Sequence, residues 1–205
     1  MIRNLIFDFG GVLIDLDMEA VARGLRNYGI ETPGPELLEW GLKYETGQIP
    51  TETFLREVTC ALPGSRPAEI RKIWNATVAG LPGERLDFLE ALKHSGNYQM
   101  FLLSNTNALH MEQARENMGT RDFNRFRECF RHLYLSHEIG MRKPEPGIFE
   151  FVLAENGLHP DETLFIDDTL EHTESASRLG IHTWHFQVGR DNILQLPQKI
   201  LQCGT

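Results

Sequence analysis

The sequence predicts an α/β protein: a doubly wound parallel sheet with a small α-helical bundle inserted after the first strand. Three observations carry this expectation. Five short apolar runs bounded by turn residues recur at 4–8 (NLIFD), 98–104 (YQMFLLS), 132–136 (HLYLS), 163–167 (TLFID) and 181–186 (IHTWHF). They are apolar at nearly every position rather than at alternate ones, the pattern of strands covered on both faces. Helical periodicities lie between the later runs. The first and second runs, however, stand about 90 residues apart, where one strand–helix–strand unit needs roughly 30.

Taken in order, the first run ends at Asp8 and turns on Gly10-Gly11. The excess that follows, 16–83, is helical by pattern: 20–28 stops at Gly29, 35–44 before Gly47, 51–62 at Pro63-Gly64, and 68–78 near Gly80. Trp40, Phe54 and Trp74 fall in these helices and are expected to form their core. Beyond them, 85–94 sets Leu86, Leu89 and Leu92 on one stripe and ends at Gly96, and 108–118 ends at Gly119. The stretch 146–156 carries Ile148, Phe149, Val152 and Leu153 and closes at Gly157, and 170–179 closes at Gly180. Strand–helix alternation from about residue 84 reads as a Rossmann-like core. The expected domains are a core of 1–15 with 84–205, and a helical cap of 16–83 over the sheet's carboxyl edge.

Composition narrows the function classes. With 205 residues, 41% of them hydrophobic, the chain can bury a sizeable core and is not a disordered segment. Twenty-nine acidic against 20 basic residues give a net charge of −9, which repels a polyanion, so nucleic acid is not an expected partner. A few local cations and backbone amides can still hold a small anion. Cys60, Cys129 and Cys203 are odd in number and lack metal-ligand spacing, which argues against a disulfide framework or a zinc site, and they are expected to be buried as small hydrophobes. No apolar stretch approaches the ~18 residues of a membrane span. The N-terminus opens like a signal peptide, but Asp8 interrupts it and no small-residue cleavage site follows. The expectation is a soluble, cytoplasmic protein with no membrane partner, a monomer or weak homodimer. His182 and His185, three apart in a strand, point to opposite faces and make no metal pair.

Ligands of an open parallel sheet bind just beyond the carboxyl ends of its strands. The first strand delivers Asp8, then Phe9-Gly10-Gly11; the second delivers Ser104-Asn105-Thr106-Asn107. After the third comes Gly140-Met141-Arg142-Lys143-Pro144, and the fourth delivers Asp167-Asp168. Each has a packing alternative. Asp8 can be a turn residue, Ser104 and Asn105 can cap the next helix, and Asp167-Asp168 can form a capping box with Glu171. Lys143 can be a solvated loop charge. Together these readings require four coincidences at one edge of one sheet. Three carboxylates in one crevice do not all stay ionised without a cation. A hard ion such as Mg²⁺ takes oxygen ligands, including those of a phosphate. Lys143 and the Ser104-Asn105 donors suit the remaining phosphoryl oxygens, and an aspartate can serve as nucleophile.

The runs Asp8-Phe9-Gly10-Gly11-Val12-Leu13, Leu103-Ser104-Asn105-Thr106-Asn107, Gly140-Met141-Arg142-Lys143-Pro144-Glu145-Pro146 and Phe165-Ile166-Asp167-Asp168 resemble, in order, the four motifs of the haloacid dehalogenase-like hydrolase superfamily. The insertion after the first motif resembles the helical cap of its subfamily I. The Ser-Asn-Thr-Asn and Gly-Met-Arg-Lys-Pro-Glu runs are similar to the sugar-phosphatase branch typified by alpha-D-glucose-1-phosphate phosphatase, and to the phosphatase domain of soluble epoxide hydrolase. The resemblance implies a Mg²⁺-dependent phosphatase acting on a small phosphorylated molecule, a sugar phosphate, through an aspartyl-phosphate on Asp8. It implies phosphoryl binding by Ser104, Asn105 and Lys143, with Lys143 also paired to Asp8. The implied metal ligands are Asp8, the Gly10 carbonyl and Asp168, with Asp167 as a further ligand or behind the first shell.

One position departs from the pattern. Most phosphatases of the superfamily carry a second Asp two residues after the first as general acid–base, and here that residue is Gly10. Losing such a group typically costs about 10²–10⁴-fold in rate. The glucose-1-phosphate phosphatase-like branch also has Gly there, and Asp15, Asp17 or a cap residue are candidate substitutes. The departure keeps two alternatives open: a 2-haloacid dehalogenase-type hydrolase, and a protein that binds a phosphorylated ligand without turnover. Against the dehalogenase, a metal-free site leaves Asp8, Asp167 and Asp168 with only Lys143 for balance. Asp17, Glu19, Arg23, Lys43 and Glu45 are the charged candidates at the cap's mouth.

Overall fold

Each apolar run forms a strand in the computed structural model, which describes residues 1–203: β1 (Asn4–Phe7), β2 (Gln99–Ser104), β3 (His132–Leu135), β4 (Thr163–Asp167) and β5 (His182–His185). All pair in parallel in the order β3-β2-β1-β4-β5. The chain steps outward from β1 through β2 to β3, then crosses back to the other side of β1 for β4 and β5. That reversal opens a crevice at the carboxyl ends of β1 and β4.

Between β1 and β2 lie the inserted helices α1 (Ala20–Arg26), α2 (Pro35–Glu45), α3 (Thr51–Ala61) and α4 (Pro67–Asn75). Proline in the first turn of α2 and α4 gives up only an amide that the helix start would leave unpaired. The four helices bury a cluster of their own, including Leu25, Tyr44, Phe54, Val58 and Ile70, with Trp40 and Trp74 packed against it. Phe54 lies between the Tyr44 ring at 4.5 Å and the Trp74 ring at 4.7 Å. The two chain crossings run side by side: Asp15 N–H donates to Gly80 O (3.0 Å), Ala79 N–H to Asp15 O (3.1 Å) and Asp17 N–H to Thr77 O (2.9 Å).

The remaining helices are α5 (Gly83–Ser95), α6 (Ala108–Glu128), α7 (Ser136–Ile139), α8 (Pro146–Asn156), α9 (Leu170–Arg178) and α10 (Leu196–Cys203). One face of the sheet packs Leu5, Phe7, Leu102 and Ile166 against Leu89, Phe126 and Leu196 of α5, α6 and α10. The other packs Ile6, Phe101 and Phe165 against Ile148, Phe149 and Val152 of α8 and Ala176 of α9. Alternate residues of β1 thus enter different cores, which is why its run is continuously apolar.

Four expectations need correction. Gly119 breaks α6 (φ 73°, ψ 155°), but the helix resumes and runs to Glu128. Burial of Phe126 holds this second segment, together with Arg125, which pairs with Asp87, Glu90 and Asp122. Ser136 opens α7 instead of ending a strand, and α10 had no counterpart in the pattern. Cys60 is exposed, on the face of α3 opposite Phe54 and Val58, whereas Cys129 is buried; the Cys203 side chain lies outside the described residues. Among the described residues, no helix is long and apolar enough to cross a membrane.

Candidate active site

Asp8 follows β1 directly, and its amide donates to Ile166 O at 2.8 Å, so the β1–β4 pairing runs one residue further into the crevice. Its side chain meets Lys143, which is buried to 1% exposure. The Lys143 ammonium donates to Asp8 Oδ1 (2.6 Å), Asp167 Oδ2 (2.6 Å) and the Leu103 carbonyl (2.8 Å). Those are all three of its protons. The expected pairing with Asp8 is present, while a phosphoryl oxygen would have to share a donor already engaged.

Asp167 is fully buried. Besides Lys143 it accepts the amide of Thr169 (2.8 Å), and His172 Nδ1 lies 3.0 and 3.1 Å from its two oxygens. Both oxygens are therefore occupied from within the protein. Asp168 is half-buried beside it, its Oδ2 packed on Gly11. Gly11 has φ +73°, and a Cβ there would fall on that oxygen, so backbone conformation and close approach both exclude a side chain. One oxygen from each of Asp8, Asp167 and Asp168 lies within 4.8 Å of the others. The sequence showed no trace of His172: it lies one turn into α9, and only the strand-to-helix geometry returns it to Asp167.

Burial disfavours every charge in this cluster, and the partners decide which charges survive. Asp8 is pushed up to about 7, by burial first and then by the carboxylates of Asp167 and Asp168, against the pull of Lys143. Asp168 is raised by burial and by Asp167. For Asp167, burial is outweighed by Lys143 and His172, and its carboxyl lies below the usual range. Lys143 is likewise raised, because the charges of Asp8 and Asp167 overcome its burial. Three carboxylates against one ammonium form an all-oxygen donor set that suits a hard divalent cation. Asp8 and Asp168 have oxygens left to offer it.

Ser104 ends β2, buried, beyond the Leu103 carbonyl that holds Lys143. Asn105 acts differently from the expectation. Its side-chain amide donates to Lys143 O (2.8 Å) and its carbonyl accepts Lys143 N–H (2.9 Å), so it ties the two loops together. One side-chain N–H and its backbone remain to face a ligand. Asn107 caps α6 by accepting the His110 amide at 3.0 Å. At Gly10 an added Cβ would meet Leu16 Cδ1 at 2.7 Å. Neither proposed acid substitute is free: Asp15 pairs with Arg85 at 3.0 Å, and Asp17 with Arg23. The two histidines of β5 part as expected, His182 Nε2 to Asp161 O (3.2 Å) and His185 Nε2 to Asp168 O (3.1 Å).

At the cap's mouth, Glu45 pairs with Arg142 Nε at 2.9 Å, and Lys43 with Glu39 at 2.6 Å. The Ser136 hydroxyl lies 2.7 Å from the Glu45 carbonyl and accepts Thr106 N–H at 2.9 Å, which joins the inserted helices to the loop after β2.

A doubly wound sheet with an aspartate beyond its first strand, a buried lysine from the third loop and an acidic pair beyond the fourth strand defines a class. The haloacid dehalogenase-like hydrolase family model matches residues 2–180, and the chain belongs to that family. It is 28% identical over 198 residues to the D-ribitol-5-phosphate phosphatase of Bacteroides thetaiotaomicron, covering 93% of this chain and 95% of that one. It is also 28% identical to a sesquiterpene phosphatase of Aspergillus oryzae, over 97% of this chain and 96% of the other. A family enzyme of B. thetaiotaomicron, crystallised with magnesium and inorganic phosphate, is 32% identical with a TM-score of 0.80, covering 93% and 97% of the two chains.

Proposed function

We propose that the protein is a Mg²⁺-dependent phosphatase of small phosphomonoesters, with Asp8 as nucleophile and residues 16–83 as a cap over the crevice. The observation that carries this is the cluster of Asp8, Asp167 and Asp168 around one buried lysine. Asp8, Asp168 and the Gly10 carbonyl would hold Mg²⁺, and Asp167 would stand behind them, since its oxygens already serve Lys143, Thr169 and His172. The bound ion would neutralise the carboxylates and the phosphoryl oxygens, which is most of what phosphoryl transfer requires. It would also keep Asp8 ionised where burial and the neighbouring carboxylates, against Lys143, raise its pKa to about 7.

Lys143 orients Asp8 through Oδ1; of the two carboxylate oxygens one would ligate the ion and the other would attack. The attacking oxygen forms a bond to phosphorus as the bond to the leaving oxygen breaks with its electron pair. With glycine at position 10, the alkoxide takes its proton from water, and the oxygen of that water then displaces Asp8 from the aspartyl-phosphate. One water is consumed: its proton goes to the alcohol and its oxygen to phosphate. Ser104 and the Asn105 backbone amide would hold the phosphoryl oxygens, with Lys143 beside them. The similarity to the D-ribitol-5-phosphate phosphatase makes sugar and polyol phosphates the first esters to test.

The test is phosphate release from D-ribitol-5-phosphate, a set of sugar phosphates and an aryl phosphate, with Mg²⁺ and with chelator. Turnover is expected only with Mg²⁺, and Asp8→Asn is expected to lower kcat by about 10⁴-fold or more. Folded protein that releases phosphate from none of these esters would overturn the reading.

A further inference from the structure

The cap holds a cavity of about 330 Å³, within the range of small-molecule sites. Its walls are apolar: Val21 and Leu25 from α1, Leu38 and Leu42 from α2, Ile73 and Trp74 from α4. Its charged lining residues are Glu45 and Arg142, which pair with each other at 2.9 Å. Arg142 immediately precedes Lys143. The Glu45 carbonyl is joined through Ser136 to Thr106, next to Asn105. The cavity's ion pair thus joins the end of α2 to the loop that carries Lys143.

A second observation concerns the surface. Leu38 and Leu42 are 62% and 44% exposed although they line the cavity, and Leu170 and Val188 are 53% and 62% exposed. Leu170 follows Asp168 by two residues, and Val188 Cγ2 lies 3.4 Å from where a Cβ on Gly11 would stand. Leu38 and Leu42 leave the cavity's apolar wall open to water, as at a site that a ligand's hydrocarbon covers. A polyol placed in the cavity would strand its hydroxyls against hydrocarbon, with one ion pair that is already satisfied.

Given the phosphatase reading above, on which this rests, we infer that the cap cavity binds an apolar carbon chain carried by the substrate. The enzyme then accepts phosphates of apolar alcohols in preference to those of polyols. The phosphate sits at Asp8 and the chain lies along α1, α2 and α4, with the Glu45–Arg142 pair at the junction.

The experiment is calorimetric binding of non-hydrolysable ethyl-, butyl-, hexyl- and octylphosphonate with Mg²⁺, beside hydrolysis of the matching alkyl phosphates and D-ribitol-5-phosphate. Affinity and kcat/KM are expected to rise up to about fourfold per methylene until the cavity is full, with an increasingly negative heat-capacity change. Leu38→Gln, at an exposed position that the fold does not need, is expected to reduce the octyl-to-ethyl ratio by about tenfold. Affinity that stays flat from ethyl to octyl overturns the inference, even where ethyl phosphate is hydrolysed and the phosphatase reading stands. A rising series that Leu38→Gln leaves unchanged also overturns it, because the chain then lies elsewhere. Rising affinity with no ester hydrolysed supports the cavity and overturns the phosphatase reading instead.

Discussion

Burying an ammonium group is costly unless each of its protons finds an acceptor, and Lys143 meets that condition with two carboxylates and a carbonyl. The arrangement depends on Asp167, which His172 and the Thr169 amide hold from behind. Replacing such an outer partner typically costs 10–100-fold in metal affinity or activity. His172→Ala is therefore expected to raise the Mg²⁺ concentration for half-maximal activity by about that factor, measured by Mg²⁺ titration of phosphate release. His110 supports a pH prediction away from the metal cluster. Its ring stacks on Trp74, Nε2 faces Trp74 O at 3.2 Å and Nδ1 faces the Asn107 amide at 3.2 Å. Burial pushes its pKa down from 6.5 to about 4. Between those values the unfolded chain binds the proton and the folded one does not. The stabilisation is therefore complete above pH 6.5 and is lost as pH falls toward about 4, by about 3 kcal/mol at most. Denaturant unfolding from pH 7 to 4.5 is expected to show this loss in the difference between wild type and His110→Phe, because the other groups that titrate in the window, Asp8 and His137 among them, contribute to both. At this scale the sequence revealed the charged residues at strand ends, because a charge terminating an apolar run is conspicuous. It concealed His172 and Asn105, whose partners lie across loops.

Elements differ in how far their own residues specify them. The three central strands were readable because both their faces are buried, which leaves apolar runs bounded by turns, whereas the edge strands β3 and β5 are only partly buried and carry histidines. Helix α6 was only half readable. Gly119 is a genuine local break, yet the stretch after it is helical because Phe126 and Phe130 pack with Phe7 and Phe9. No periodicity within 120–128 could announce a contact with β1. The loop after α2 shows the same dependence. Gly47 has φ +68°, and a Cβ there would overlap the carbonyl oxygen of His137, a backbone atom that cannot swing aside. Gly47→Ala combines left-handed strain with a clash at the cap–core seam. It is expected to cost at least about 2 kcal/mol, read as a lowered urea midpoint with unchanged m-value.

For the whole molecule, the carboxylate cluster acts as a stored repulsion that a cation would relieve. Asp8 and Asp168 are both raised by burial and neighbouring negative charge, so binding an ion to them stabilises only the folded chain. Mg²⁺ at 100 times its dissociation constant adds about 2.7 kcal/mol, or about 5–11 °C in Tm for a chain of this size. Thermal unfolding with Mg²⁺ and with chelator checks this, and Asp168→Asn is expected to remove most of the difference. The sequence by itself determined the parallel sheet, the inserted helices and the set of charged residues at the sheet's edge. Each of these follows from local chemistry: apolar runs, helical periodicity, glycine stops, and charges where packing alone would not put them. Only the tertiary structure decided that the three protons of Lys143 are all engaged, that Asn105 ties two loops together, that Asp15 and Asp17 are held by arginines, and that the cap encloses an apolar cavity. These are contacts between residues tens of positions apart, as Lys143 with Asp8 or Arg85 with Asp15. Their geometry exists only once the sheet brings the loops to one edge.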